Sequence, residues 1–158
     1  MSSALDDMYR EVILDHYKSP RGKQPLERSN VASDGSNPAC GDEITMSALI
    51  GEDGVLQGVH VDCKGCAIST ASASMLAEAV KGRSYEEVLE LAEKVRKMLK
   101  GEEDPELPED WEDIEALKGV RNFPVRVKCA LLAWVTLVEG LKKYRTGGDG
   151  SVVTTEEN

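Results

Sequence analysis

A chain of 158 residues predicts one domain, long enough to bury a core without disulfide staples. Hydrophobic residues at 41% and charged residues at 30%, with only 14 Gly and 6 Pro, exclude collagen-like and wholly disordered chains. The net charge of −10, with no cluster of Lys or Arg, argues against nucleic acid as a partner. No apolar run approaches the ~20 residues of a bilayer span, and the acidic, amphipathic N-terminus does not resemble a signal peptide. The expectation is a cytoplasmic protein with no membrane partner.

In chain order, Leu5, Met8, Tyr9, Val12, Ile13 and Tyr17 recur at helical spacing and predict a first helix that stops before Pro20. Residues 19–41, rich in Pro, Gly, Ser and Asn, predict a long exposed loop. Alternation over Ile44–Ile50 and again over Val55–Val61, around Gly51-Glu52-Asp53-Gly54, predicts a β-hairpin. An Ala-rich helix is expected after Cys66, closing at Gly82, and Ser84 with Glu87 forms a capping box for another that ends at Gly101. The acidic stretch 102–113 and a short helical turn over Ile114–Leu117 predict a surface insertion. Val127, Leu131, Trp134, Val138 and Leu141 mark a last helix, and the tail 147–158, without a hydrophobic face, is expected to be disordered.

Four cysteines, Cys40, Cys63, Cys66 and Cys129, carry most of the chemistry. In a reducing compartment thiols serve as metal ligands, nucleophiles or buried hydrophobes more often than as disulfides. Cys40, Cys66 and Cys129 all fall at junctions between elements, where distant parts of a chain can converge, and thiolates with the carboxylate of Asp42 would suit zinc or iron–sulfur chemistry. Their spacing matches no zinc finger or ribbon, so spacing alone leaves ligand and core residue both open. Cys63 fits a core position, and its C-x-x-C with Cys66 lacks the βαβ context of a thioredoxin-like motif. His16 and His60 are expected at surface or boundary positions. Three thiolates and a carboxylate would exceed the charge of Zn²⁺, which favours Arg126 and Lys128 as compensating cations.

The segments Cys40-Gly41-Asp42-Glu43, Gly65-Cys66-Ala67-Ile68-Ser69 and Arg126-Val127-Lys128-Cys129, with Tyr9–Pro20 and Cys129–Trp134, resemble the SufU branch of the IscU-like (NifU N-terminal domain-like) iron–sulfur assembly proteins. The resemblance implies an α+β fold, a small antiparallel sheet against several helices, over residues 1–146. It implies zinc ligands at Cys40, Asp42, Cys66 and Cys129, with Cys40 as sulfur acceptor, and the charge balance around these thiolates favours Arg126 as a functional cation. Lys128, where IscU-type scaffolds carry His, and an insertion at about residues 101–118 both favour the SufU branch. Cys63 departs from relatives, which usually have Gly there. The function implied is acceptance of persulfide sulfur from a SufS-type cysteine desulfurase, for the iron–sulfur assembly machinery or apo-protein acceptors. The alternatives are a non-enzymatic scaffold that assembles a [2Fe–2S] cluster, and a structural zinc domain. The carboxylate is expected to be the ligand that leaves or shifts, since oxygen binds zinc less firmly than thiolate.

Overall fold

The computed structural model describes residues 3–103, 105, 107, 109–146 and 151–154. The helices are α1 (Ser3–Lys18), α2 (Ala67–Val80), α3 (Tyr85–Leu99) and α4 (Pro124–Thr146), and a 3-10 segment covers Glu109–Val120. The strands are β1 (Val31–Asn37), β2 (Asp42–Ile50), β3 (Leu56–Lys64) and β4 (Ser151–Thr154), in the order β3-β2-β1-β4. β1 to β3 run antiparallel, with Met46 facing Ser33 on one side and Val61 on the other. β4 pairs parallel to β1. The expected α+β class is what forms: a small, largely antiparallel sheet covered by helices.

The hairpin and the capping box of α3 form as expected. Ser84 Oγ accepts the Glu87 N–H at 3.2 Å, and Glu87 Oε1 accepts the Ser84 N–H at 3.1 Å. These bonds hold the Glu87 carboxyl below its usual range. Among the helix-one stripe, Ile13 is buried and Tyr17 is exposed, whereas the side chains of Leu5, Met8 and Tyr9 lie outside the described residues.

Three expectations are corrected. Residues 31–37 are a strand and not part of a loop. β1 alternates buried and exposed positions, but its inward residues after Val31 are Ser33, Gly35 and Asn37, which carry no hydrophobic signal. They are small or polar because α4 lies directly on them. A Cβ on Gly35 would meet Thr136 Oγ1 at 2.2 Å and Leu132 at 3.1 Å, and one on Gly140 would meet Ser33 at 3.0 Å. Within 102–120, Ile114, Ala116, Leu117 and Val120 are buried, so the second half of that segment is core and not surface. In the tail, residues 151–154 form β4 where disorder was expected; its remaining residues lie outside the described residues.

α2 is apolar or small on nearly every face, with Ala71, Ser72, Ala73, Met75, Leu76 and Ala77 all buried. That composition suits a helix enclosed by neighbours. Ser72 Oγ donates to the Ala130 carbonyl at 2.6 Å and accepts from Trp134 Nε1 at 3.0 Å. These bonds pin α2 against the first turns of α4, beside Cys129. Among the described residues no helix is long and apolar enough to cross a membrane.

Candidate metal centre

Asn37 and Asp42 are the last pair of the β1–β2 ladder, and Pro38–Gly41 is the turn between them. The Cys40 N–H bonds to the Asn37 carbonyl at 3.1 Å, and Gly41, at φ 72°, takes the left-handed conformation that closes the turn. Cys40 therefore sits half-exposed on a tight hairpin turn, not at the end of a long loop. Asp42, one residue into β2, points inward and is 1% exposed.

From the other side, β3 ends at Lys64 and Cys66 is the N-cap of α2, with extended backbone at φ −74°, ψ 170°. The Cys66 side chain makes no cap bond. Instead its backbone N–H donates to Asp42 Oδ1 at 2.9 Å, and Ser69 Oγ, one turn into the helix, donates to the same oxygen at 3.1 Å. Gly65 allows this approach, since a Cβ there would lie 2.2 Å from Asp42 Oδ1. Gly65→Ala is expected to push the carboxylate out of place, at about 1–3 kcal/mol for overpacking. A thermal melt and zinc retention both matching the native chain would refute that role.

Cys129, in the second turn of α4, is fully buried and closes the group, its sulfur 3.2 Å from that of Cys40. Asn37 Nδ2 donates to Asp42 Oδ2 at 3.3 Å and to Cys129 Sγ at 3.4 Å, which joins hairpin, helix and carboxylate. The ligand atoms of Cys40, Asp42 and Cys129 all lie within 4.8 Å of one another, a group that could hold a metal ion. Cys66 falls outside that mutual distance but adjoins it, near enough to affect the Cys129 thiol. Three thiols and one carboxylate fit zinc or an iron–sulfur group better than a hard oxygen-seeking cation.

Burial above all pushes the Cys129 thiol up, with the Cys40, Asp42 and Cys66 side chains adding to it. The proton then stays on sulfur unless a cation takes its place. The exposed Arg126 guanidinium is held in its charged form, chiefly by the Cys66 thiol and then by Cys129 and Cys40. Asp42 corrects one expectation. With three hydrogen-bond donors on its two oxygens and almost no exposure, it is the best-anchored donor, and the less constrained position is Cys40 on its turn.

Sequence reasoning missed Asn37, Ser69 and Gly65, which surround the donors without being donors. Asn37 immediately before Pro38, three residues ahead of Cys40, is a turn-opening signal that could have drawn attention to it. Asn37 Oδ1 is, among the described residues, a buried side-chain oxygen with no partner.

His16 is also corrected from boundary to core. It is 0% exposed, with Nδ1 2.7 Å from Ser74 Oγ and Nε2 2.8 Å from Asp113 Oδ2. His16, Glu78 and Asp113 form a second group that could hold a metal. Both ring nitrogens are already engaged, so their evident work is to tie α1 to α2 and to the 3-10 segment. His60 is half-buried, with Nδ1 3.1 Å from the Gly22 carbonyl oxygen, away from the donors.

The family model described as the NifU-like N terminal domain matches residues 8–148. The chain belongs to the IscU/SufU-like, NifU N-terminal family of iron–sulfur cluster assembly proteins. Among members of this IscU/SufU-like family, the zinc-dependent sulfurtransferase SufU of Bacillus subtilis (strain 168) is 43% identical over 144 residues, which are 90% of this chain and 95% of that protein. The iron–sulfur cluster assembly scaffold protein IscU of Thermotoga maritima is 40% identical over 136 residues, 86% of this chain and 94% of that one. A crystal structure described as a putative iron–sulfur cluster assembly scaffold protein for the SUF system, from Fervidobacterium islandicum AW-1, superposes with TM-score 0.74 at 33% identity, covering 83% of this chain and 94% of that one. The N-terminal part of a NifU-like protein from Brucella abortus shares the IscU/SufU-like fold at TM-score 0.80 and 22% identity, covering 91% of this chain and 99% of that one.

Proposed function

We infer that this member of the IscU/SufU-like family is a cytoplasmic, zinc-dependent sulfur-transfer protein. It accepts persulfide sulfur from a SufS-type cysteine desulfurase and passes it to iron–sulfur assembly machinery or apo-protein acceptors. In this reading residues 1–146 are one IscU/SufU-like domain with an insertion at about 101–118. The observation that carries it is the convergence of Cys40, Asp42 and Cys129, with Cys66 adjoining, where one thiol is on a turn and the rest are anchored. The likeness to a Bacillus subtilis protein named as a zinc-dependent sulfurtransferase supports the choice over a structural zinc domain.

Cys40, Asp42, Cys66 and Cys129 would hold the zinc, which when bound keeps its thiol ligands deprotonated at neutral pH. The protein's own residues do the rest. Asn37, Ser69 and the Cys66 N–H fix Asp42, and α4 fixes Cys129. Cys40, held by the short turn and followed by Gly41, can swing outward at small packing cost. Its thiolate attacks the outer sulfur of the desulfurase persulfide, the sulfur–sulfur bond breaks, and the enzyme cysteine leaves as thiolate while Cys40 keeps the sulfur. Arg126, exposed beside the thiols, is suited to balance the negative charge that gathers as the two sulfur centres approach.

Metal analysis of protein purified without added iron, together with desulfurase turnover measured with and without it, tests the reading. Zinc near one per chain and a stimulated desulfurase are expected. Visible absorbance with iron and sulfide in the purified protein would favour the [2Fe–2S] scaffold instead, and zinc without any stimulation would favour a structural domain. Arg126→Ala is expected to keep its zinc and lower stimulation about tenfold, the scale of one charge at a protein contact. Unchanged stimulation would remove Arg126 from the site.

A further inference from the structure

Cys63 has no part in the transfer described above, yet it lies at its edge. It is the next-to-last residue of β3, half-exposed, and is joined to Cys66 by Lys64 and Gly65. Both thiols reach the same hydroxyl, with Cys63 Sγ and Cys66 Sγ each 3.7 Å from Ser69 Oγ. The two sulfurs are thus no more than twice that distance apart. Ser69 Oγ accepts from the thiols and directs its own proton to Asp42 Oδ1 at 3.1 Å or to the Cys66 carbonyl at 3.0 Å. Thr70 Oγ1 donates toward Cys63 Sγ from 3.9 Å. A thiol pair sharing a hydroxyl that leads to a carboxylate is equipped for thiol–disulfide chemistry, with a route for the proton that must leave.

We propose that Cys63 is a resolving thiol that releases sulfur from this site as sulfide. The proposal rests on the sulfur-transfer reading for the origin of the sulfur. Cys66 takes the sulfane sulfur from the Cys40 persulfide by exchange, which returns Cys40 to thiolate and leaves Cys66 as a persulfide. Cys63 sulfur then attacks Cys66 Sγ. A Cys63–Cys66 disulfide forms, the bond from Cys66 Sγ to the outer sulfur breaks, and that sulfur leaves with both electrons as hydrosulfide. The proton lost by Cys63 is relayed through Ser69 Oγ, which accepts it as it gives up its own, and ends on the departing hydrosulfide as hydrogen sulfide. The two cysteine sulfurs are oxidised to the disulfide and the sulfane sulfur is reduced to sulfide, so this turnover needs no outside reductant. A dithiol reductant of the thioredoxin class would reset the pair by disulfide exchange.

The test uses the full zinc-containing chain, loaded with sodium tetrasulfide, desalted, and followed for free sulfide. Trypsin cuts after Lys64, so Ser29–Lys64 and Gly65–Lys81 travel together in a non-reducing digest only if a disulfide joins them. The native chain is expected to release about one sulfide per chain and to yield the joined peptides. In Cys63→Ser release falls at least about tenfold, Gly65–Lys81 retains the added sulfur, and the joined pair disappears. Ser29–Lys64 also contains Cys40, so fragmentation of the joined peptides locates the bridge, which is expected at Cys63–Cys66 and not at Cys40–Cys66. Native release from Cys63→Ser, or a bridge located at Cys40–Cys66 in the native chain, overturns the proposal. Cys63→Ala, with zinc content and circular dichroism matching the native chain, guards against a folding defect in the first variant. Because tetrasulfide bypasses the desulfurase, a chain that resolves sulfur yet stimulates no desulfurase refutes the sulfur-transfer reading alone. A chain that stimulates the enzyme yet shows no Cys63-dependent release refutes the resolving thiol alone.

Discussion

Cys40→Ser is expected to abolish sulfur uptake from the desulfurase while leaving the fold intact. The hydroxyl that replaces the thiol is not ionised at neutral pH and does not attack a persulfide, so transfer should fall by two orders of magnitude or more, about the effect of removing a nucleophile. The fold should tolerate the change because Cys40 is half-exposed on a four-residue turn whose backbone bonds, Cys40 N–H to Asn37 and Gly41 N–H to Pro38, do not involve its side chain. Mass spectrometry under non-reducing conditions, after incubation with desulfurase and cysteine, reads the result. Added sulfur that arrives first on Cys40 of the native chain, and none on any cysteine of the variant, is the expected pattern. Full uptake by Cys40→Ser, with the sulfur arriving directly on Cys63 or Cys66, would transfer the acceptor role to the C-x-x-C pair.

The opposite balance is expected for Cys129→Ala, where the metal and stability are lost together. Cys129 is fully buried, is the sulfur that joins α4 to the hairpin, and accepts from Asn37 Nδ2. Its removal leaves that donor without its sulfur partner and the three remaining ligands split between β2, the turn and the α2 N-terminus. A ligand present at about a hundred times its dissociation constant adds ~3 kcal/mol to the native state. For a chain of this size its loss corresponds to a fall in Tm of roughly 6–12 °C. The core of aliphatic side chains from the sheet, α2, α3 and α4 remains, so the variant should still fold. Zinc content and a thermal melt check this, and full zinc occupancy in both Cys129→Ala and Cys66→Ala would refute the ligand assignment. The pH dependence has a definite sign. Burial raises the Cys129 thiol, so a metal must displace a proton there, and apparent metal affinity in the native chain should fall as pH falls through the neutral range.

Legibility in the sequence followed the physical signal each element carried. α3 announced itself through a capping box and a stripe of Val88, Leu91, Ala92, Val95 and Leu99, and the β2–β3 hairpin through alternation around a Gly-containing turn. β1 carried neither. Its inward face is Ser33, Gly35 and Asn37, chosen by the closeness of α4 and by the polar centre at its end. Likewise, the residues Ile114–Val120 follow so acidic a stretch that local composition pointed outward, while packing turned Ile114 and Leu117 inward.

The sequence by itself determined the α+β class, the helix boundaries marked by caps and glycines, and the candidate donors, because thiols and an acid at element junctions suit a soft metal, while their spacing left ligand and core residue both open. Only the tertiary structure shows which of these side chains is held by hydrogen bonds and which sits on an exposed turn. Hydrogen bonds from Asn37, Ser69 and the Cys66 N–H converge on Asp42 from elements far apart in the chain, and no local pattern encodes that convergence. The placement of Cys63 beside Cys66 across one serine is of the same kind. The C-x-x-C spacing was visible from the start, but the shared hydroxyl exists only because β3 ends where α2 begins its first turn.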